Sequence, residues 1–158
     1  MRLTFWTGFW AFLIDQTSKY WLLYIDNLGA GETREVLPPL VRFVYAENRG
    51  VNFGLFADFD MRWVLIGVAL VISAFVIWWI RREKTVGRWA YISAGLLVGG
   101  ALGNVVDRVL YGFVFDFLNI SCCGINNPYA FNIADISIFA GAIGLVLFTD
   151  GGNKKKTA

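Results

Sequence analysis

Two carboxylates stand beside the last apolar stretch of this chain, Asp116 in the segment before it and Asp135 near its start. Neighbouring carboxyls in a low-dielectric setting do not easily both ionise; one keeps its proton and the other is a base near neutral pH. A pair in that state can activate a water and protonate a leaving amine. This chemistry requires neither histidine nor metal, and the chain contains no histidine. The plainer alternative is two unrelated aspartates at a membrane interface.

More polar residues lie where a membrane anchor would have none. Asp15 and Lys19 fall inside the first apolar stretch, and Asn104, Asp107 and Arg108 near the end of the third. A charge in hydrocarbon costs about 2.5–3.5 kcal/mol even on lenient insertion scales, so such residues usually mark a site. Asp15 and Lys19 are one helical turn apart and share a face. They read as an ion pair, as a bridge locking two helices, or with Lys19 reaching toward the outer interface. Asn104 and Arg108 share a face with Asp107 beside them. An amide donor and a fixed guanidinium fork suit a carboxylate or a peptide backbone; an interfacial Asp107–Arg108 cluster orienting the helix end is the alternative.

The elements carrying these residues follow from composition. Of 158 residues, 57% are hydrophobic and 16% charged, against roughly 25% charged in ordinary globular domains. A helix needs about 20 residues to cross the hydrocarbon layer, and four runs approach that length: residues 5–25, 63–80, 89–110 and 131–148. They show no period-two alternation, so they are expected as helices, the form that satisfies its own backbone in lipid. Arg2 and the apolar run after it resemble the start of a signal peptide, but no small-residue cleavage site follows, so an uncleaved first span is expected.

Arg2, the Arg81, Arg82, Lys84 and Arg88 cluster, and Lys154, Lys155 and Lys156 flank these runs on one side, which the positive-inside rule assigns to the cytoplasm. Both termini then lie there. The opposite side holds the loops 26–62 and 111–130. In the first loop a turn over Glu35–Leu40 precedes a short strand over Val41–Tyr45, a turn at Asn48-Arg49-Gly50 and a second strand over Val51–Phe56. A small β-element on the outer membrane surface fits. The second loop carries Asp116 and the adjacent Cys122 and Cys123, which read as two buried or free thiols, with a strained vicinal disulfide as the alternative. Trp63, Trp78, Trp79 and Trp89 stand at span ends as interfacial anchors. The chain forms one domain, and no basic stripe interleaved with aromatics suggests nucleic-acid binding.

Five blocks occur in order: Asp15-Gln16-Thr17-Ser18-Lys19, Asn48-Arg49-Gly50, Gly99 through Arg108, Val114-Phe115-Asp116-Phe117, and Phe131-Asn132-Ile133-Ala134-Asp135. Together they resemble the signature of the lipoprotein signal peptidases, or signal peptidase II. The resemblance implies an aspartic endopeptidase of the bacterial inner membrane, with four transmembrane helices, a periplasmic β-cradle and the site at the periplasmic face. It cuts diacylglyceryl-modified prolipoproteins just before the lipidated lipobox cysteine. The dyad falls on Asp116 and Asp135, with Asn132 orienting it. Asp15, Lys19, Asn48, Gly50, Asn104 and Arg108 match positions that support the site or hold substrate, and Asp107 lies in the same block. The resemblance also implies globomycin-type inhibition, and the reading requires no metal, no cofactor and no more than a monomer among membrane lipids. Two departures stand out: Val51-Asn52 follows Gly50 where two alanines are more usual, and Phe115 replaces a valine.

A transporter or proton-relay subunit is the rival class. Its charges should spread through the bilayer depth, whereas these crowd toward the outer side, and no inverted repeat of broken helices is visible. A passive scaffold leaves the polar residues unexplained.

Overall fold

A computed structural model describes residues 1–50, 61–83, 86–121 and 127–149. The expected strand over Val51–Phe56, Asn52, Lys84, Cys122, Cys123 and the lysine tail lie outside the described residues. Four long helices and three strands follow in chain order: α1 (Arg2–Tyr20), β1 (Thr33–Leu37), β2 (Val41–Asn48), α2 (Met61–Arg82), α3 (Arg88–Tyr111), β3 (Val114–Ile120) and α4 (Ile133–Thr149). A π-helical turn, Trp21–Ile25, continues α1, so the first apolar run is helical throughout. The last helix starts two residues later than expected, because Phe131 pairs with Leu118 of β3 and Asn132 caps the helix.

Helix α3 is the hub and packs against α1, α2 and α4. Its small residues make this possible. A Cβ on Gly99 would collide with the Gly8 backbone of α1, and one on Gly100 with the Ala134 carbonyl of α4. The Gly99–Gly103 stretch is therefore a close-approach face, as its composition suggests. At the C-terminus of α3, Gly112 adopts a left-handed φ of 82° and its N–H reaches the Arg108 carbonyl at 3.1 Å, a turn that suits glycine.

Burial is inverted relative to a water-soluble domain. Phe5, Val71 and Phe139 are 64%, 69% and 70% exposed, while Asp15, Asp107 and Asn132 are at most 1% exposed. Apolar side chains outside and polar or charged ones inside suit a hydrocarbon surround. Helices α2 and α3 are each long and apolar enough to cross a membrane, and α4 is a shorter apolar helix.

The strands form one antiparallel sheet, ordered β1-β2-β3. The strand expected over Val41–Tyr45 is present and runs on to Asn48. Two other strands correct the sequence reading. β1 begins at Thr33, before the turn expected over Glu35–Leu40, and overlaps it through Leu37. β3 runs through Asp116, which was expected in a loop. Alternation is missing from β3 because Val114 through Phe117 are all buried, between β2 and the helices. Facing it, β2 carries one extra residue between Phe43 and Ala46, and Ala46 stands opposite Asp116. Such bulges bend a strand and re-aim side chains.

Candidate active site

The site is assembled around the N-terminus of α4. Asn132 is its cap: its side-chain oxygen accepts the Asp135 N–H at 2.8 Å, and the Asp135 carboxylate accepts the Asn132 N–H at 3.2 Å. This reciprocal pair is a capping box. It fixes both side chains through residues only three positions apart. Asp15, arriving from α1, accepts the Ala134 N–H of the same helix end at 2.8 Å. Two carboxylates thus meet the positive end of α4.

The Asn132 side-chain amide then reaches β3. Its Nδ2 donates to Asp116 Oδ1 at 2.7 Å and to Asn104 Oδ1 at 3.2 Å. Asn104 in turn donates to Asp135 Oδ1 at 2.9 Å. Both carboxyls are therefore tied to Asn132, and Asp135 also to Asn104. The second oxygen of Asp116 accepts from Asn48 Nδ2 at 3.0 Å. Asn48 is aimed by a turn in which Gly50, at φ +98°, donates its N–H to Asn48 Oδ1 at 3.0 Å. Burial pushes the Asp116 carboxyl up to about 7, and the nearby Asp135 charge pushes the same way.

Behind this pair lies a buried ionic cluster. Lys19 bridges Asp15 at 2.8 Å and Asp107 at 2.7 Å, and its ammonium lies 3.4 Å from Asn104 Oδ1. Lys19 is 4% exposed, so it does not reach toward the interface. Asp107 pairs with Lys19, not with Arg108, which corrects the interfacial-cluster alternative. It also accepts the Phe115 N–H at 3.2 Å and so anchors the start of β3. Arg108 is half-buried and bonds its guanidinium to the Asn104 carbonyl of its own helix at 3.3 Å. It lies within electrostatic reach of Asp135, Asp107 and Asp116. It forms no ion pair within 4.0 Å among the described residues.

All ten residues singled out from sequence are gathered here. Gln16 was not among them. Its amide donates to Asp107 at 2.9 Å, to Asp15 at 3.1 Å and to the Gly103 carbonyl at 3.3 Å, joining α1 to α3. An amide beside Asp15 in an apolar run was the available signal. No group of three or more metal-ligating side chains occurs among the described residues. The arrangement suits acid–base work on a water.

The family model for signal peptidase (SPase) II matches residues 8–149. The lipoprotein signal peptidase of Methylobacterium sp. (strain 4-46) is 42% identical over 139 residues, covering 87% of this chain and 82% of that protein. That of Vibrio cholerae serotype O1 (strain M66-2) is 35% identical over 156 residues, covering 97% and 88%. A solved bacterial membrane enzyme superposes with a TM-score of 0.80 at 27% identity, covering 98% of this chain and 93% of its own. With a family model spanning most of its length and relatives of this identity, the chain belongs to the signal peptidase II family, the lipoprotein signal peptidases.

Proposed function

We propose that this protein is an aspartic endopeptidase that removes signal peptides from prolipoproteins, with Asp116 and Asp135 as its catalytic pair. The observation that carries the reading is the Asn132 tie between two carboxyls on different elements. In the bacterial inner membrane, α1 to α4 form four spans, and the basic ends face the cytoplasm. Arg2 and Arg81 line one cavity, and Trp89 stacks on Phe148, so these ends of all four helices meet on one side. The sheet and the carboxyl pair occupy the other side, the periplasmic one. The whole chain acts as one membrane peptidase domain and as a monomer.

A diacylglyceryl-modified segment enters from the bilayer and presents the bond before its lipidated cysteine. Burial favours the protonated form of Asp116, which serves as the acid. Asp135 then takes a proton from water, and the water oxygen adds to the carbonyl carbon. Asp116 polarises that carbonyl by donating its proton to the oxygen. As the intermediate collapses, one of its two hydroxyls returns a proton to Asp116 and the carbonyl re-forms, the C–N bond breaks, and the departing cysteine nitrogen leaves as an amine after receiving the proton held by Asp135. Asn104 and Arg108 hold the substrate backbone, and Asn48 and Asn132 hold the Asp116 carboxyl. Globomycin-type compounds occupy the same site.

The test is incubation of the purified protein in detergent with a synthetic diacylglyceryl-modified lipobox peptide, with and without globomycin. A product beginning at the modified cysteine, suppressed by globomycin, is expected. Asp116→Asn or Asp135→Asn lowers its rate by at least about a thousandfold. Undiminished cleavage by either variant removes that aspartate from the mechanism.

A further inference from the structure

At the end of the bundle opposite the carboxyl pair, α1, α2 and α3 line an open cavity of about 480 Å³. Its walls are apolar, with Phe5, Ile77 and Val98 among them, and Arg2 and Arg81 stand on its lining. Neither arginine forms an ion pair among the described residues, and both are exposed. Other arginines at this end are occupied. Arg82 stacks on Trp78 and Arg88 on Trp89, at 5.0 and 5.2 Å from the ring centres. Thr4, also on the cavity lining, is 6% exposed, and its hydroxyl has no hydrogen-bond partner among the described residues. The first turn of α1 carries no acidic residue.

We infer that this cavity is a binding site for an anionic phospholipid. The combination is selective in its chemistry. Two unpaired guanidinium groups suit a phosphodiester, which accepts bidentate hydrogen bonds from arginine. An apolar slot beneath them suits the first methylenes of an acyl chain. A glycerol or ester oxygen at their junction is an acceptor of the kind the Thr4 hydroxyl lacks. A zwitterionic lipid offers the same chain without net charge, so the arginines set the preference. This inference rests on the membrane orientation proposed above and concerns the cytoplasmic leaflet, where anionic headgroups attract basic residues.

The experiment is native mass spectrometry of the full chain released from detergent micelles, titrated with dioleoylphosphatidylglycerol or dioleoylphosphatidylcholine. One phosphatidylglycerol molecule is expected to be retained at concentrations where phosphatidylcholine is not. In the Arg2→Gln/Arg81→Gln double variant, apparent affinity for phosphatidylglycerol falls by at least about tenfold. Arg88→Gln, at the same end but outside the cavity, retains it. Equal retention of the two lipids by the wild type overturns the site, as does equal loss in Arg88→Gln, which marks diffuse surface charge. If the double variant unfolds, Thr4→Val and Val98→Trp are the substitutes, and wild-type affinity in both overturns the site. Peptide cleavage measured on the same samples reports on the carboxyl pair alone, so the two readings fail separately.

Discussion

At the residue scale, the most consequential quantity is the proton affinity of Asp116. Burial raises its carboxyl from 3.8 to about 7, and its hydrogen bonds from Asn48 and Asn132 oppose that rise. For an acid raised by folding, the protonated form favours the native state. Its contribution is fully present below 3.8, shrinks as pH rises, and is lost once pH passes about 7. Replacing Asp116 by Asn should therefore stabilise the protein at pH 8 by up to about 4 kcal/mol, and much less at pH 4, in thermal unfolding in detergent. An equal or smaller gain at pH 8 than at pH 4 refutes the raised carboxyl. The same proton sets the alkaline limb of kcat/KM, which should fall as pH passes about 7. Asn48→Ala removes a hydrogen bond that favours the charged form, so this limb should move to higher pH while the rate drops. A limb that stays put, or moves down, separates Asn48 from the titrating group.

At the element scale, short-range helix chemistry and long-range charge pairing hold the site together. The capping box is local: Asn132 and Asp135 are three residues apart and position each other as α4 begins. The ionic cluster is not local, since Lys19 on α1 draws Asp107 of α3 against Asp15. Truncating Lys19 leaves two buried carboxylates facing each other, and uncompensated buried charge typically costs about 3–5 kcal/mol. Lys19→Met should lower the unfolding temperature accordingly, and Asp107→Asn in the same chain should recover part of the loss. A Lys19→Met protein as stable as the wild type refutes the stabilising role of the ammonium. Phe115 is fully buried, its N–H donates to Asp107 and its carbonyl accepts from Asn132. The peptide unit beside it, more than its ring, connects it to the site.

At the scale of the whole molecule, the bundle depends on the contacts that glycines leave open. Gly99 faces the Gly8 backbone across α1 and α3, and any side chain there pushes the helices apart. Overpacking of this kind costs about 1–3 kcal/mol, occasionally more. Gly99→Val should therefore destabilise the fold and reduce cleavage together, because the same two helices carry Asp15, Lys19, Asn104 and Asp107. Gly67 on α2 has open space beside its Cα, and Gly67→Val should leave both properties near wild type in the same assays. Equal effects at the two positions would mean that helix propensity, not packing, dominates.

The helices were legible from the chain because a long apolar run without period-two alternation favours a helix locally, wherever its neighbours lie. The turn at Asn48-Arg49-Gly50 was equally readable; the Asn132–Asp135 cap of α4 was not read as a cap, although its residues lie within three positions of one another, because the apolar run was taken to begin at Phe131. The strand through Asp116 was not readable, because a strand buried on both faces loses the alternation that betrays one. The sharing of Asn132 by two carboxyls, the choice of Lys19 over Arg108 as partner of Asp107, and the bulge opposite Asp116 were decided only by tertiary structure. Each joins residues far apart in sequence, and in a low-dielectric interior the nearest available counter-charge or donor wins, whatever the order of the chain.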